Sequence, residues 1–179
     1  MSRRVPYLLC SAIAICLTGL AQAQTPTIPE SPVILEAYDL PGYFMTAATS
    51  TGAVRMVEGG NDTPAAQWNI LPGLANAEGI SFESVLLPNN IMRHRSFVFY
   101  TDPRATDSLF QNDATLLVRP GLADPTAVSF ESNNYRGYYL TRNASFGLAL
   151  INAPTDLGAA KTGGGFRQRD KRRQSGHEA

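Results

Sequence analysis

The chain has 179 residues and a formal net charge of zero, with 15 basic and 15 acidic side chains. The charges are unevenly distributed: residues 24–166 carry 8 basic and 13 acidic side chains, and such an acidic body argues against nucleic-acid binding. Both cysteines, Cys10 and Cys16, lie in the segment 1–23, so the rest of the sequence offers no thiol for catalysis, a disulfide or a metal.

Residues 1–23 are predicted to be a secretory signal peptide. Arg3 and Arg4 precede an apolar run, and Ala21-Gln22-Ala23 forms a small-x-small cleavage signal. The apolar run is about 16 residues long, shorter than the roughly 20 residues that a membrane-spanning helix needs. We therefore expect a secreted or periplasmic protein that keeps no membrane anchor after cleavage. Residues 24–32, rich in Pro and Thr, are expected to form an extended lead-in.

The sequence then contains three similar copies of one segment. Similar phrases stand at 34–45, 81–92 and 129–140, and a Pro-Gly-Leu phrase at 72–74 recurs with nearly the same spacing at 120–122. A repeat with a period of roughly 20–50 residues indicates one supersecondary unit used several times. We divide the predicted domain, residues 33–162, into copy one (33–79), copy two (80–127) and copy three (128–162).

Each copy is predicted to consist of strands. No stretch shows a sustained helical period, whereas short apolar runs rich in β-branched and aromatic residues alternate with Gly, Pro, Asn and Asp. The clearest runs are 80–85, 91–94, 97–100, 115–118, 128–131, 138–140 and 148–151. About four strands per copy would make twelve, and closing them with threefold pseudosymmetry leaves no open sheet edge. We therefore predict an all-β fold, a β-trefoil.

Copy three is expected to be incomplete. After residue 151 the counterpart of the fourth strand is replaced by a glycine run and a basic tail, 163–179, in which apolar and polar residues do not alternate. The expectation is a disordered tail, a poorly formed twelfth strand and an imperfectly closed barrel.

The phrases at 91–102, 108–125 and 128–140 resemble the arabinofuranose-binding domain of family 54 α-L-arabinofuranosidases, carbohydrate-binding module family 42. The resemblance extends over about 33–152 and implies a β-trefoil. It also implies that each competent copy holds an arabinofuranosyl side chain, in a pocket built around a His and the Asp of an Asp-Ala-Thr motif. In copy two these residues are His94 and Asp113. Arg93, Tyr100, Phe110 and, in copy three, Arg142 are weaker candidates.

Comparison of the copies distinguishes candidate binding residues, present in one copy, from residues that all three copies share. The position of His94 is Ala47 in copy one and Arg142 in copy three, and that of Asp113 is Ala65 in copy one. Only copy two keeps both polar groups. In contrast, a Glu occurs in all three copies, and three equivalent positions far apart cannot supply the paired carboxylates of a glycosidase. These glutamates, Glu36, Glu83 and Glu131, are expected to accept hydrogen bonds from backbone donors at strand ends.

The leading hypothesis is a non-catalytic module, expected to be a monomer, that binds arabinose-decorated polysaccharide such as arabinoxylan or arabinan and needs no cofactor. A stand-alone or remnant α-L-arabinofuranosidase is the alternative from another class. A trefoil that binds proteins or acts as a lectin is the third, because the fold alone does not choose among them. No metal site is expected, since His94 and His177 are the only histidines.

Overall fold

The computed structural model describes residues 31–153 and 165–169. The predicted signal peptide, most of the lead-in and residues 170–179 lie outside these ranges. The described residues form twelve short strands: β1 (Val33–Ala37), β2 (Tyr43–Ala47), β3 (Val54–Glu58), β4 (Gln67–Pro72), β5 (Ile80–Ser84), β6 (Asn90–Arg95), β7 (Val98–Pro103), β8 (Leu116–Pro120), β9 (Val128–Ser132), β10 (Tyr138–Arg142), β11 (Leu148–Asn152) and β12 (Phe166–Arg169). Within the same ranges, no helix has the length and apolar character needed to cross a membrane.

Six of the strands form a closed barrel. Antiparallel pairing runs from β1 to β4, β5, β8, β9 and β12, and β12 pairs again with β1. The fourth strand of each copy thus pairs with the first strand of the next copy. Closure satisfies backbone groups that would otherwise lie along an open edge.

The other six strands form three hairpins, β2–β3, β6–β7 and β10–β11, that cap one end of the barrel. The hairpins meet one another through single pairs: Ala53 with Tyr100, Val98 with Ala149, and Arg55 with Gly147. A six-stranded barrel with three pseudo-equivalent hairpins is a β-trefoil, as the repeat predicted.

Large aromatic side chains from the barrel strands fill the core. Trp68, Phe82 and Phe130 are fully buried and Phe166 almost so. The rings of Phe82 and Phe130 meet edge to face, 5.2 Å apart. Trp68 also satisfies its indole N–H, which donates to the Met45 carbonyl over 3.0 Å. This packing uses aromatic rings from all three copies, so no copy has a core of its own.

The recurrent glutamates occupy the same place in each copy. In every case one carboxylate oxygen accepts the backbone N–H of the residue six positions later, at Gly42 (2.7 Å), Asn89 (2.9 Å) and Gly137 (2.9 Å). These three residues have positive φ angles of 89°, 63° and 83°. The glutamates therefore fasten a left-handed turn between the first and second strands, which confirms their predicted structural role.

The twelfth strand corrects the expectation for copy three. Phe166–Arg169 pairs with β1 along its whole length and with β9 through Phe166 and Val128, so the barrel is closed and the 163–179 segment is not a tail throughout. Two side chains compensate for the missing alternation. Phe166 enters the core, and Arg169 forms an ion pair with the buried Glu36.

A short helix, α1 (Ser108–Asp113), interrupts copy two between β7 and β8. It makes fewer than two turns, too few for the hydrophobic period by which a helix is recognised in a sequence. Asp107 caps the helix by accepting the Phe110 N–H over 2.9 Å. The helix ends at Asp113 and so fixes the position of that side chain.

Candidate functional site

Three segments meet to form one cleft. Strand β6 carries Arg93, His94 and Arg95, helix α1 ends at Asp113, and the turn between β9 and β10 contributes Asn134 and Tyr135. The first two segments belong to copy two and the third to copy three. The cleft therefore lies at a junction between copies.

His94 and Asp113 form the polar base of this cleft, and the exposed Asn134 side chain completes a hydrogen-bonded cluster with them. His94 and Asp113 are only 4% and 6% exposed. The Asn134 amide donates to Asp113 Oδ1 over 2.8 Å, and its own oxygen accepts from Ser132 Oγ at 2.8 Å. His94 Nε2 lies 3.2 Å from Asn134 Oδ1 and 3.3 Å from Asp113 Oδ1.

This geometry determines which nitrogen of the His94 ring carries the proton when the ring is neutral. Both neighbours of His94 Nε2 are oxygens that accept hydrogen bonds, so a neutral ring carries its proton on Nε2. Nδ1 is then left as an acceptor. The cluster thus combines a carboxylate acceptor with an imidazole acceptor, both held in fixed orientations.

Arg93 balances the charge of the buried carboxylate. Its Nη1 lies 3.6 Å from Asp113 Oδ2, and its Nε donates to Asp102 over 2.7 Å. The guanidinium also sits over the Phe110 ring, 5.1 Å from the centroid. Because the distance to Oδ2 exceeds that of a normal hydrogen bond, Arg93 offsets the charge of Oδ2 without occupying it as an acceptor.

The cleft has a volume of about 460 Å³. Beside its polar base stand three partly exposed apolar side chains: Phe97 (37%), Tyr135 (41%) and Leu109 (65%). The Phe97 and Tyr135 rings are 4.9 Å apart, and the Tyr135 ring meets His94 edge to face at 5.4 Å. A polar floor beside an apolar wall is a usual arrangement for a small-molecule site.

The weaker sequence candidates fall in different places. Arg93 lines the cleft, whereas Phe110 is buried beneath Arg93 and supports it. Tyr100 lies under the Arg95 guanidinium, 4.0 Å from ring centroid to Cζ, and is not part of the lining. Arg142 belongs to the next junction, where its Nη2 donates to Asp39 over 2.7 Å.

The three junctions between copies can be compared by counting from the shared glutamates. Three positions after the glutamate stand Asn134 in copy three, Asp39 in copy one and Leu86 in copy two. The first of these contacts His94 of copy two, and the second contacts Arg142 of copy three. An internal ion pair thus takes the corresponding place at the junction of copies three and one. At the junction of copies one and two the same positions are both apolar, Ala47 and Leu86.

Local sequence patterns do not predict Asn134 and Tyr135 as site residues, because they lie in another copy, far along the chain from His94. A signal was available: their positions, counted from Glu131, differ chemically among the copies, as those of His94 and Asp113 do.

The cluster offers acceptors for hydrogen bonds from hydroxyl groups. Among the described residues that line the cleft, Asp113 is the one carboxylate, whereas glycoside hydrolysis usually needs two on either side of the bond. Within the described ranges, no three His, Cys, Asp or Glu side chains are grouped so as to hold a metal ion.

Comparison with known proteins gives a family match over most of the chain. Residues 33–157 match the family described as the alpha-L-arabinofuranosidase B (ABFB) domain. No curated protein matches the sequence.

Solved structures show the same fold. A GH54 α-L-arabinofuranosidase soaked with 4-nitrophenyl α-L-arabinofuranoside aligns with a TM-score of 0.68 and 19% identity over 81% of this chain and 32% of its own. An arabinofuranosidase complexed with arabinofuranosyl-α-1,2-xylobiose aligns with the same TM-score and 21% identity, also over 81% of this chain and 32% of its own. The BEL β-trefoil gives a TM-score of 0.61 at 16% identity over 81% of this chain and 99% of its own. The chain thus corresponds to about a third of the arabinofuranosidases and to nearly all of an isolated trefoil.

Proposed function

Since the chain belongs to the alpha-L-arabinofuranosidase B domain family, we propose that it is a non-catalytic carbohydrate-binding domain that holds an α-L-arabinofuranosyl group in the cleft of His94, Asp113 and Asn134. One observation carries the proposal: among the described residues, a buried His and a buried Asp joined by an exposed Asn occur at only one of the three junctions compared above. The ligand named for one similar structure, arabinofuranosyl-α-1,2-xylobiose, is of the proposed class. We further propose that the domain acts outside the cytoplasm, on arabinose-decorated polysaccharide.

The chemistry of the cluster fits a sugar. A furanosyl ring presents neighbouring hydroxyls that can donate to Asp113 Oδ2 and to His94 Nδ1, and hydrogen bonds to a charged acceptor are the stronger ones. The acceptors are already oriented by Asn134 and Ser132, so little side-chain entropy is lost on binding. With few contacts, the affinity of one cleft should be weak, with a Kd on the order of 0.1–1 mM.

Retention on immobilised arabinoxylan, compared with debranched xylan, tests the proposal. Asp113→Asn keeps the shape of the side chain but removes its charge. We expect the affinity to fall about 10-fold to 150-fold, as for the loss of a hydrogen bond to a charged group. His94→Ala should likewise abolish retention.

A matched control is Asp39→Asn, the same chemical change at the next junction, where the carboxylate pairs with Arg142. This variant should be retained like the wild type. Equal retention of wild type, Asp113→Asn and His94→Ala would refute the assignment of the cleft. An arabinofuranosidase activity is not favoured, and an absence of arabinose release from an aryl arabinofuranoside is the expected result.

A further inference from the structure

Phe97 has an unusual backbone conformation. It forms, with Ser96, the two-residue turn between β6 and β7, which is closed by the pairing of Arg95 with Val98. The φ angles of Ser96 and Phe97 are 48° and 68°. Two-residue hairpin turns of this kind favour Asn and Gly, because a bulky side chain at positive φ is strained. Strained residues of this sort persist mainly at binding and active sites.

The equivalent hairpins of copies one and three show how a positive φ angle is accommodated where no cleft is involved. In copy one the turn has Gly52 at φ 67°, which carries no such strain. In copy three Phe146 has φ 63°, and its ring stacks on Tyr43 at 5.3 Å with an interplanar angle of 14°. The strain at Phe146 thus places a ring in a packing contact. The strain at Phe97 places a ring at the mouth of the cleft with 37% of the residue exposed.

Other aromatic rings hold Phe97 in this position. They pack against it at 4.9 Å (Tyr135), 5.5 Å (Tyr138) and 6.3 Å (His94) between centroids. A ring that is supported on several sides and still partly exposed offers a fixed surface to a ligand. Its contact with His94 joins that surface to the polar base of the cleft.

The two halves of the cleft call for a ligand with two parts. The polar base suits one hydroxyl-rich ring, whereas Phe97 and Tyr135 suit a ring with an apolar C–H face. The volume of about 460 Å³ lies in the range of sites for drug-sized molecules, larger than one five-membered sugar requires. The feature of a branched polysaccharide that fits is the pyranose that carries the branch.

We propose that Phe97 is a ligand-contacting, specificity-determining residue, whose ring stacks on the backbone sugar to which the arabinofuranosyl group is attached. This inference rests on the proposed function of the cleft. It adds that the domain distinguishes a branched oligosaccharide from the free arabinofuranoside and that the strained turn is kept for this contact.

Isothermal titration or ligand-observed NMR on the whole chain tests the inference with two probes, methyl α-L-arabinofuranoside and arabinofuranosyl-xylobiose. Fluorescence is unsuitable because the single tryptophan, Trp68, is fully buried in the core. For the wild type we expect the branched probe to bind more tightly. In Phe97→Gly, which accepts a positive φ without strain, the ratio of the two dissociation constants should fall about threefold to tenfold, as expected for the loss of one aromatic contact.

Phe146→Gly is the matched control, since it removes a phenylalanine at positive φ from the equivalent hairpin, and it should keep the wild-type ratio. If Phe97→Gly does not fold, judged by its thermal transition, Phe97→Asn makes the same test, because Asn tolerates positive φ. A wild-type ratio in the Phe97 variant, or an equal loss for both probes, would overturn the inference while the proposed function stands. A wild-type protein that binds neither probe would overturn both.

Discussion

Replacement of Glu131 by Gln tests how much the recurrent glutamate stabilises the turn between the first and second strands of a copy. Glu131 is 8% exposed and accepts the Gly137 N–H at 2.9 Å and Arg119 Nε at 2.8 Å, with Arg136 at 3.7 Å. Gln keeps the shape and one acceptor oxygen, so the bond to Gly137 can survive. The substitution removes the charge that two arginines face.

The expected cost follows from these contacts. The Gly137 N–H then donates to a neutral oxygen, and the bond from Arg119 is lost because the Gln amide nitrogen takes the place of the accepting Oε2, together a loss of about 1–2 kcal/mol. Arg119 is 44% exposed and returns to water, so its side chain is not left buried without a partner. For a domain of this size the thermal midpoint should fall by about 2–8 °C.

The sign of the pH dependence follows from the same contacts. Burial raises the pKa of Glu131, but the Gly137 N–H and the Arg119 guanidinium together outweigh it and hold the pKa below its usual 4.5. A lowered pKa in the folded state contributes stability above the unfolded value, and this contribution is lost as the pH falls through the folded value. The difference between wild type and Glu131→Gln should therefore be full at about pH 7 and shrink at about pH 3.

Equilibrium unfolding in urea, followed by Trp68 fluorescence, measures both effects. Glu83→Gln is the internal comparison, because its second oxygen accepts from the neutral Asn69 amide at 3.4 Å, and it should cost less. Equal losses for Glu131→Gln and Glu83→Gln, or a Glu131→Gln loss that does not change with pH, would contradict the reasoning.

Two further predictions concern closure and the shared site. Truncation after residue 164 removes β12, exposes the edges of β1 and β9 and deletes the core ring of Phe166. We therefore expect calorimetry to show no cooperative unfolding transition. An intact transition would show that β12 is dispensable. Asn134→Ala should weaken retention on arabinoxylan although Asn134 lies in copy three, because the substitution removes the side chain that orients Asp113 and His94. Retention at the wild-type level with an unchanged thermal midpoint would disprove this orienting role.

The repeat allowed the fold to be predicted because the sequence of each copy, taken alone, predicts short strands. The regular spacing of the three similar phrases, together with the short β-branched runs, led to the trefoil. The recurrence of the glutamates predicts their structural role for a related reason. A residue that recurs at equivalent positions is expected to serve what the copies share, and here that is the turn before the second strand.

Features that depend on contacts between distant segments were not predictable in the same way. Strand β12 is set by pairing with β1, at the opposite end of the described chain, and by one buried ring, so its own sequence lacks alternation. The partners of His94 come from the turn after β9, which no local pattern connects to β6. The strained turn at Ser96 and Phe97 runs against the local preference, and local preference is what a sequence-based prediction uses.

The location of the cleft between copies has a consequence for where a substitution takes effect. Each copy contributes a second-strand residue to one junction and a turn residue to another, as His94 of copy two and Asn134 of copy three illustrate. A single copy would therefore own two half-sites and no whole one. A substitution in the turn of one copy therefore alters the site whose second-strand residue belongs to the preceding copy, as Asn134 and His94 show.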